Sequence, residues 1–258
     1  VCRAAGCVRL LGCQVKIALG IEYNGAGYCG WQHQSSGCSI QDHIESALSE
    51  IAAHPVKLVA AGRTDAGVHA SLQVAHFETT AQRPLNAWVR GINTHLPANI
   101  AVLWAQPVAD PFHARFSARS RSYRYLLLNH PVRPAALHGV VGWYHLPLDV
   151  AAMHAAAQRL LGEHDFSSFR CADCQAASPV RDLRLARVHA SGDYIEFSFQ
   201  ANGFLHHMVR NIVGSLVQIG GGKRAAAWLS EVLQARERRV AAPTFAPSGL
   251  YLAHIEYD

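Results

Sequence analysis

The sequence predicts an α+β protein built from two ferredoxin-like, split β-α-β halves. Three observations lead there. Apolar residues alternate with period two in several short runs, the spacing of strands with one covered face. In other runs they recur every three or four residues, the spacing of amphipathic helices. Over the first hundred or so residues these runs fall in the order β-α-β-β-α-β, and a related succession returns in the second half. The halves meet near Asp110-Pro111. Residues 1–14 then read as an N-terminal extension, 15–110 as one α+β unit and 111–258 as a second.

The elements follow in chain order. Val15, Ile17, Leu19 and Ile21 alternate and mark a first strand. A Gly-containing loop over 24–37 leads to a helix with Ile40, Ile44, Ala47, Leu48 and Ile51 on one face. Ser39 and Asp42 have the Ser/Thr-x-x-Asp/Glu spacing of a capping box at its start. Residues 56–61 form a mostly apolar run that reads as a buried strand, and 72–79 form another, polar on alternate positions. Pro84 opens a second helix carrying Leu85, Trp88, Val89, Ile92 and Leu96. Residues 100–108 complete the first half.

In the second half, 123–128 is a strand and 150–161 an Ala-rich helix stopped by Gly162. Residues 183–190 and 195–199 form a hairpin through Ser191-Gly192-Asp193. A helix over 207–219 ends at Gly220-Gly221-Gly222. A further helix spans 225–235, and 250–257 is the closing strand.

Composition narrows the class. At 258 residues with 50% hydrophobic content the chain can bury a sizeable core and does not have the composition of a disordered protein. The net charge is +5, and the 23 basic residues include only three lysines, Lys16, Lys57 and Lys223. Arginine suits bidentate phosphate contacts and stacking on bases; a GC-rich genome would produce the same excess. The seven cysteines are odd in number and follow no framework spacing, which points to a reducing compartment. Residues 1–14 lack the pattern of a secretory signal. No run approaches the eighteen or so apolar residues of a membrane span. The expectation is a soluble, cytoplasmic protein without a membrane partner.

The segment with the most chemical content is Gly62-Arg63-Thr64-Asp65-Ala66-Gly67-Val68-His69. Arg63 and Asp65 leave the end of a predicted strand into a tight loop bracketed by glycines, and loops on a rigid scaffold are where reacting groups concentrate. A carboxylate there can be held ionised by a nearby guanidinium. The same residues also suit an Asx-type turn with a solvated ion pair.

This octapeptide resembles the active-site motif of the TruA family of tRNA pseudouridine synthases. Other segments resemble that family's signatures in the same order. They are 16–23, Gly30-Trp31-Gln32, Phe112-His113-Ala114-Arg115-Phe116-Ser117, Arg121-Ser122-Tyr123-Arg124-Tyr125 and 204–214, which includes His206-His207-Met208-Val209-Arg210. The match runs from about Lys16 to about Tyr257.

The resemblance implies a two-domain pseudouridine synthase fold and conversion of uridine to pseudouridine in the anticodon stem-loop of tRNA. It implies no cofactor, no metal and a homodimer that binds tRNA across both subunits. It makes Asp65 the catalytic carboxylate. Beside C1′ such a group can trap an electron-poor sugar or remove a sugar proton, and the sequence leaves both open. Tyr123 would be an active-site tyrosine that stacks on an extruded base or moves a proton. Tyr125, on the same strand face, reads as core.

Arg210 lies on an apolar helix where an unpaired guanidinium would be costly, so it needs a carboxylate; the resemblance makes that Asp65. Leu250 matches an apolar residue of the uracil pocket, and Arg63 one that helps extrude the base. Arg115, Arg119, Arg121 and Arg124, interleaved with Phe116, Tyr123 and Tyr125, form a basic run suited to RNA, with Arg115 and Arg121 as substrate-binding candidates.

Cys171-x-x-Cys174 is half of a metal or redox motif. It lacks a second pair, and His206 and His207 are adjacent rather than spaced for one helix face, so no four-ligand site is expected. His69 and His76 are expected to be satisfied core or loop histidines. Two other classes fit parts of the sequence. An inactive RNA-binding module fits the aromatic strands but gives no task to Asp65 with Arg210; a metal-dependent hydrolase needs the ligand set that the spacing does not provide.

Overall fold

A computed structural model describes residues 14–258, so nearly all of the expected extension at 1–14 lies outside the described residues. The first half contains β1 (Val15–Tyr23), α1 (Ile40–Ala52), β2 (Val59–Ala60), β3 (His69–Thr79), α2 (Leu85–His95) and β4 (Ile100–Val108). The second contains β5 (Ser120–Asn129), β6 (Gly142–Tyr144), α3 (Val150–Ala157), β7 (Gly162–Asp165), β8 (Val180–Ser191), β9 (Tyr194–Ala201), α4 (Met208–Gly220), α5 (Trp228–Ala235) and β10 (Leu250–Glu256).

The strands form one mixed sheet in the order β4-β1-β3-β10-β5-β9-β8-β7, with β2 on β3 and β6 on β5. Most neighbours are antiparallel. The junction in the middle is parallel and short, pairing Tyr251 with His69 and Leu252 with Ala70. The loop before β3 and the turn before β10 therefore open side by side at the centre of the sheet.

Two apolar clusters hold the layers. One joins α1 and α2 to β1, β3 and β4 through Leu19, Ile21, Ile44, Leu48, Phe77, Trp88, Ile92 and Val102. The other joins α3, α4 and α5 to β5, β8 and β9 through Leu127, Met153, Val188, Phe197, Phe199, Ile212, Leu216 and Leu229. Tyr125 is fully buried in the second cluster and donates its hydroxyl to the Ala246 carbonyl at 2.9 Å, as expected of a core residue.

Local chemistry sets the element ends. The capping box at α1 forms as expected, with the Ser39 hydroxyl accepting from the Asp42 amide at 3.1 Å and the Asp42 carboxylate accepting from the Ser39 amide at 3.2 Å. The strand expected over 56–61 shrinks to two residues. Val56 and Leu58 are buried as anticipated, but side chains of α1 satisfy the backbone around Leu58. The Leu58 amide donates to the Glu45 carboxylate at 2.9 Å, and Gln41 Nε2 donates to the Leu58 carbonyl at 3.3 Å. An apolar run thus reaches the core without joining a ladder until Val59.

The helix expected over 150–161 ends at Ala157, continues as a 3₁₀ turn to Leu160, and gives way at Gly162 to β7. That strand reads Gly-Glu-His-Asp; it is short, polar and at the sheet edge, so it has no alternation to detect. The cysteine reading also needs correction. Cys29 and Cys38 form a disulfide. The loop after β1 turns back on itself, and the Cys29 amide donates to the Cys38 carbonyl at 3.1 Å. Spacing alone does not reveal that return. No helix among the described residues is long and apolar enough to cross a membrane.

Candidate active site

The loop between β2 and β3 carries Asp65, and its backbone is tied down on several sides. Thr64 is buried and its hydroxyl meets that of Tyr23 at 2.8 Å, while its carbonyl accepts from the Trp31 amide at 3.0 Å. The Val68 amide closes a turn onto the Asp65 carbonyl at 3.1 Å, and Gln73 Nε2 donates to the Gly62 carbonyl at 2.8 Å. Gly30 has φ +96°, and a Cβ there would stand 2.8 Å from the Thr64 carbonyl. Glycine lets the loop after β1 press against the Asp65 loop. Gly67, at φ +76°, makes the turn that follows Asp65.

His69 clamps the junction. It is fully buried, its Nδ1 accepts from the Gly25 amide at 3.0 Å, and its Nε2 lies 3.0 Å from the Ser248 carbonyl. Its ring stacks on Tyr251 at 4.6 Å. One imidazole thus ties the loop after β1, the start of β3 and the turn before β10. Accepting at Nδ1 while donating at Nε2 requires the neutral ring, and burial holds its pKa below the ordinary histidine value. A depressed folded-state pKa contributes stability that is full above the unfolded value, about 6.5, and is lost as pH falls through the folded value. The melting temperature should therefore drop as pH is lowered from about 7 to about 5. His69→Gln, which cannot be protonated, should flatten part of that dependence. Parallel wild-type and variant curves would contradict this role. His76, whose Nδ1 accepts from the Ala114 amide at 3.1 Å and whose pKa burial also lowers, adds to the same trend.

Asp65 meets three nitrogen-bearing side chains from α4 and the turn before it. Arg210 Nη1 donates to Oδ2 at 3.0 Å, with the two side chains only 14% and 21% exposed. Arg210 Nε donates to the Phe245 carbonyl at 2.8 Å, and the Phe245 amide returns to the Arg210 carbonyl at 3.3 Å. The guanidinium is held from two sides and presents one edge to Asp65.

His206 Nε2 lies 3.2 Å from Oδ1 and His207 Nε2 lies 3.4 Å from Oδ2. These contacts escape a reading of spacing. His207 caps α4 in the left-handed region, at φ 63°, a conformation that non-glycine residues adopt at a cost of about 1–3 kcal/mol where the surroundings enforce it. That backbone turn accompanies a ring separation of 4.0 Å between His206 and His207, both over the same carboxylate. The available signal was their place directly before the helix that carries Arg210. Burial lowers the pKa of His207, opposed by the Asp65 charge and reinforced by His206 and Arg210.

Tyr123 projects from β5, with its ring edge-on to Phe204 at 5.0 Å. Burial, and then the negative charge of Asp65, raise its phenol pKa well above the ordinary value. The hydroxyl therefore keeps its proton at neutral pH.

Asp65, Arg210, Tyr123, Leu250, Arg63, Arg115 and Arg121 all line one cleft of about 1270 Å³, together with His206, His207, Phe204 and Arg181. A smaller cavity of about 380 Å³, between Arg159, His164 and Arg236, shares none of these residues. Leu250 is buried at the start of β10. Arg63 and Arg115 are exposed, and Arg115 lies 5.6 Å from the ring centre of Phe116, which is 76% exposed. Exposed aromatics next to arginines are suited to stacking on bases.

Arg121 differs from the expectation of a direct substrate contact. Nη1 donates to the Ala118 and Asn202 carbonyls at 3.1 Å each, and Nη2 to the Ala61 and Arg115 carbonyls at 3.0 and 2.6 Å. With those donors spent on backbone, it ties the Asp65 loop, the basic segment and the end of β9 together. Arg119 pairs with Asp258 and is not among the cleft-lining residues.

A family model described as tRNA pseudouridine synthase matches residues 20–117 and 156–258. A protein of Thiobacillus denitrificans called tRNA pseudouridine synthase A is 60% identical over 243 residues, covering 94% of each chain. One of the same name from Dechloromonas aromatica is 57% identical, covering 95% of this chain and 93% of its own. A third, from Aromatoleum aromaticum, is 57% identical over 94% and 92% respectively.

Proposed function

The chain belongs to the tRNA pseudouridine synthase family, and from that premise we propose that it isomerises uridines of the tRNA anticodon stem-loop in the cleft around Asp65. The observation that carries this reading is the convergence of Asp65, Arg210 and Tyr123, from the β2–β3 loop, α4 and β5, on one arginine-lined cleft.

The reaction breaks the N1–C1′ bond of uridine, turns the base, forms a C5–C1′ bond and moves the C5 proton to N1, with no change in composition. Asp65 serves the sugar, either by adding to C1′ or by removing a sugar proton. Arg210 holds its carboxylate in place. Tyr123, protonated and facing the cleft, stacks on the extruded uracil or handles the C5 proton. Leu250 packs against the base, Arg63 occupies the emptied stack, and Arg115 with Phe116 receives the backbone and a neighbouring base.

We also assign two units, 15–110 carrying Asp65 and 111–258 carrying Tyr123 and Arg210, each a split β-α-β half. The strand pairings β4-β1-β3-β2 and β10-β5-β9-β8 support this assignment. The enzyme works in the cytoplasm, without cofactor or metal, as a homodimer. Exposed Val132, Leu137, Trp143 and Leu146 on one segment offer apolar surface of the kind a second subunit covers.

The test is to incubate the protein with an unmodified tRNA transcript and map pseudouridine by chemical adduct sequencing. Modification confined to the anticodon stem-loop is expected; an unmodified transcript, or modification elsewhere, would overturn the reading. Affinity should also fall steeply with salt, since each neutralised phosphate releases counterions. Arg115→Gln should reduce the log–log salt slope by about one charge's worth, roughly 0.7–0.9. A flat salt response would argue against a phosphate-tracking cleft.

A further inference from the structure

By spacing alone, Cys171 is half of an incomplete motif and the adjacent histidines do not suit a metal. The fold brings them together. Cys171, His206 and His207 each offer a donor atom, and the three atoms lie within 4.8 Å of one another. The arrangement is fixed by the backbone, because the Cys171 amide donates to the His206 carbonyl at 3.0 Å. The His206 amide in turn meets the Cys174 sulfur at 3.4 Å. The imidazoles line the cleft, where an ion can reach them, and the thiol beside them is only partly covered.

We propose that Cys171, His206 and His207 form an inhibitory binding site for a thiophilic divalent cation, Zn²⁺, with the Asp65 carboxylate as the fourth ligand. One thiolate and two imidazoles are a donor set that zinc favours over magnesium or calcium. With bonds of about 2.0–2.3 Å, neighbouring ligand atoms of a tetrahedral site stand roughly 3.3–3.6 Å apart. The two histidine Nε2 atoms already stand 3.2 and 3.4 Å from the Asp65 oxygens. The thiol lies within 4.8 Å of the imidazole donors, and it and the Asp65 carboxylate must both close on the ion to complete the set.

An ion held there takes up the carboxylate's charge and fills the space beside it that the sugar must enter. It therefore competes with substrate rather than assisting the reaction. Binding of the ion stands on the cluster alone; inhibition rests on the reading of Asp65 as the catalytic group.

The experiment uses the whole chain, freed of metal, in two assays. Equilibrium dialysis against Zn²⁺ measures binding, and the spectrum with Co²⁺ as a stand-in reports a thiolate ligand. Tritium release from C5-labelled uridine in tRNA measures turnover with and without Zn²⁺. Wild type is expected to bind a tight equivalent, to give a thiolate–cobalt band and to lose turnover, with a chelator restoring it fully. Cys171→Ser is expected to turn over normally without metal, to bind Zn²⁺ at least tenfold more weakly, to lose the cobalt band and to resist inhibition. Cys174→Ser serves as control and should keep both the band and the inhibition.

Equal Zn²⁺ affinity in wild type and Cys171→Ser, or no tight equivalent in wild type, would overturn the site. Tight binding through Cys171 with unaffected turnover would overturn its inhibitory role. The assignment of Asp65 is judged separately, in metal-free Asp65→Asn, so the two failures are distinguishable.

Discussion

Asp65→Asn is expected to abolish detectable pseudouridine formation, a loss of about 10⁴-fold or more, the scale seen when a catalytic carboxylate is replaced by its amide. That factor corresponds to roughly 5.5 kcal/mol of barrier. Affinity for tRNA should change little, because phosphate contacts carry affinity while Asp65 carries the bond chemistry. The fold should survive. The amide is nearly isosteric, its oxygen can still accept from Arg210 Nη1, and Thr64, Gly67 and Val68 hold the loop independently of the carboxylate. Steady-state turnover with a filter-binding isotherm checks both halves. A variant that binds normally and turns over near the wild-type rate would remove Asp65 from the mechanism.

The second large effect is expected at Tyr123, where two substitutions separate two tasks. If the hydroxyl moves a proton, Tyr123→Phe should lose about 10²–10⁴-fold in turnover. If stacking on the uracil is the main task, Phe should retain most activity and Tyr123→Leu should lose it, stacking being worth roughly 1–3 kcal/mol per base. We expect the first outcome. The ring lies in the same cleft as Asp65 and its phenol is held protonated by burial and by the carboxylate charge. His206 and His207, the rivals for a proton, are both engaged with Asp65. Folding is checked by thermal melts, since the edge-on contact with Phe204 remains available to Phe and not to Leu. Wild-type turnover in both variants would make Tyr123 a packing residue.

How much of this was legible in the sequence differs from residue to residue. Asp65 stood out only through the surrounding motifs that resemble one family; by itself, Thr-Asp between glycines suits an Asx-type turn with a solvated ion pair. That Arg210 needs a carboxylate followed from the cost of leaving a guanidinium unpaired on an apolar helix; the family resemblance pointed to Asp65, which stands at 3.0 Å. Helix α1 was legible down to its cap, because Ser39 and Asp42 act over three residues. What escaped depends on how the chain returns on itself. Val56 and Leu58 look like a strand, but Glu45 and Gln41 of α1 satisfy the backbone there. Cys29 and Cys38 look unrelated until the loop folds back. His206 and His207 converge on Asp65 around a left-handed residue that is not a glycine. Arg121 looked like an RNA contact, yet its terminal N–H groups are spent on four backbone carbonyls.

The central claim is that a uridine leaves the tRNA stack and brings its sugar to Asp65. The most direct test is a crystal structure of the Asp65→Asn chain bound to tRNA. The account predicts a uridine of the anticodon stem-loop extruded into the cleft, with C1′ in van der Waals contact with residue 65, about 3.5–4 Å, and the uracil between Tyr123 and Leu250. A stem-loop with every base stacked, or an extruded base held away from position 65, would contradict it.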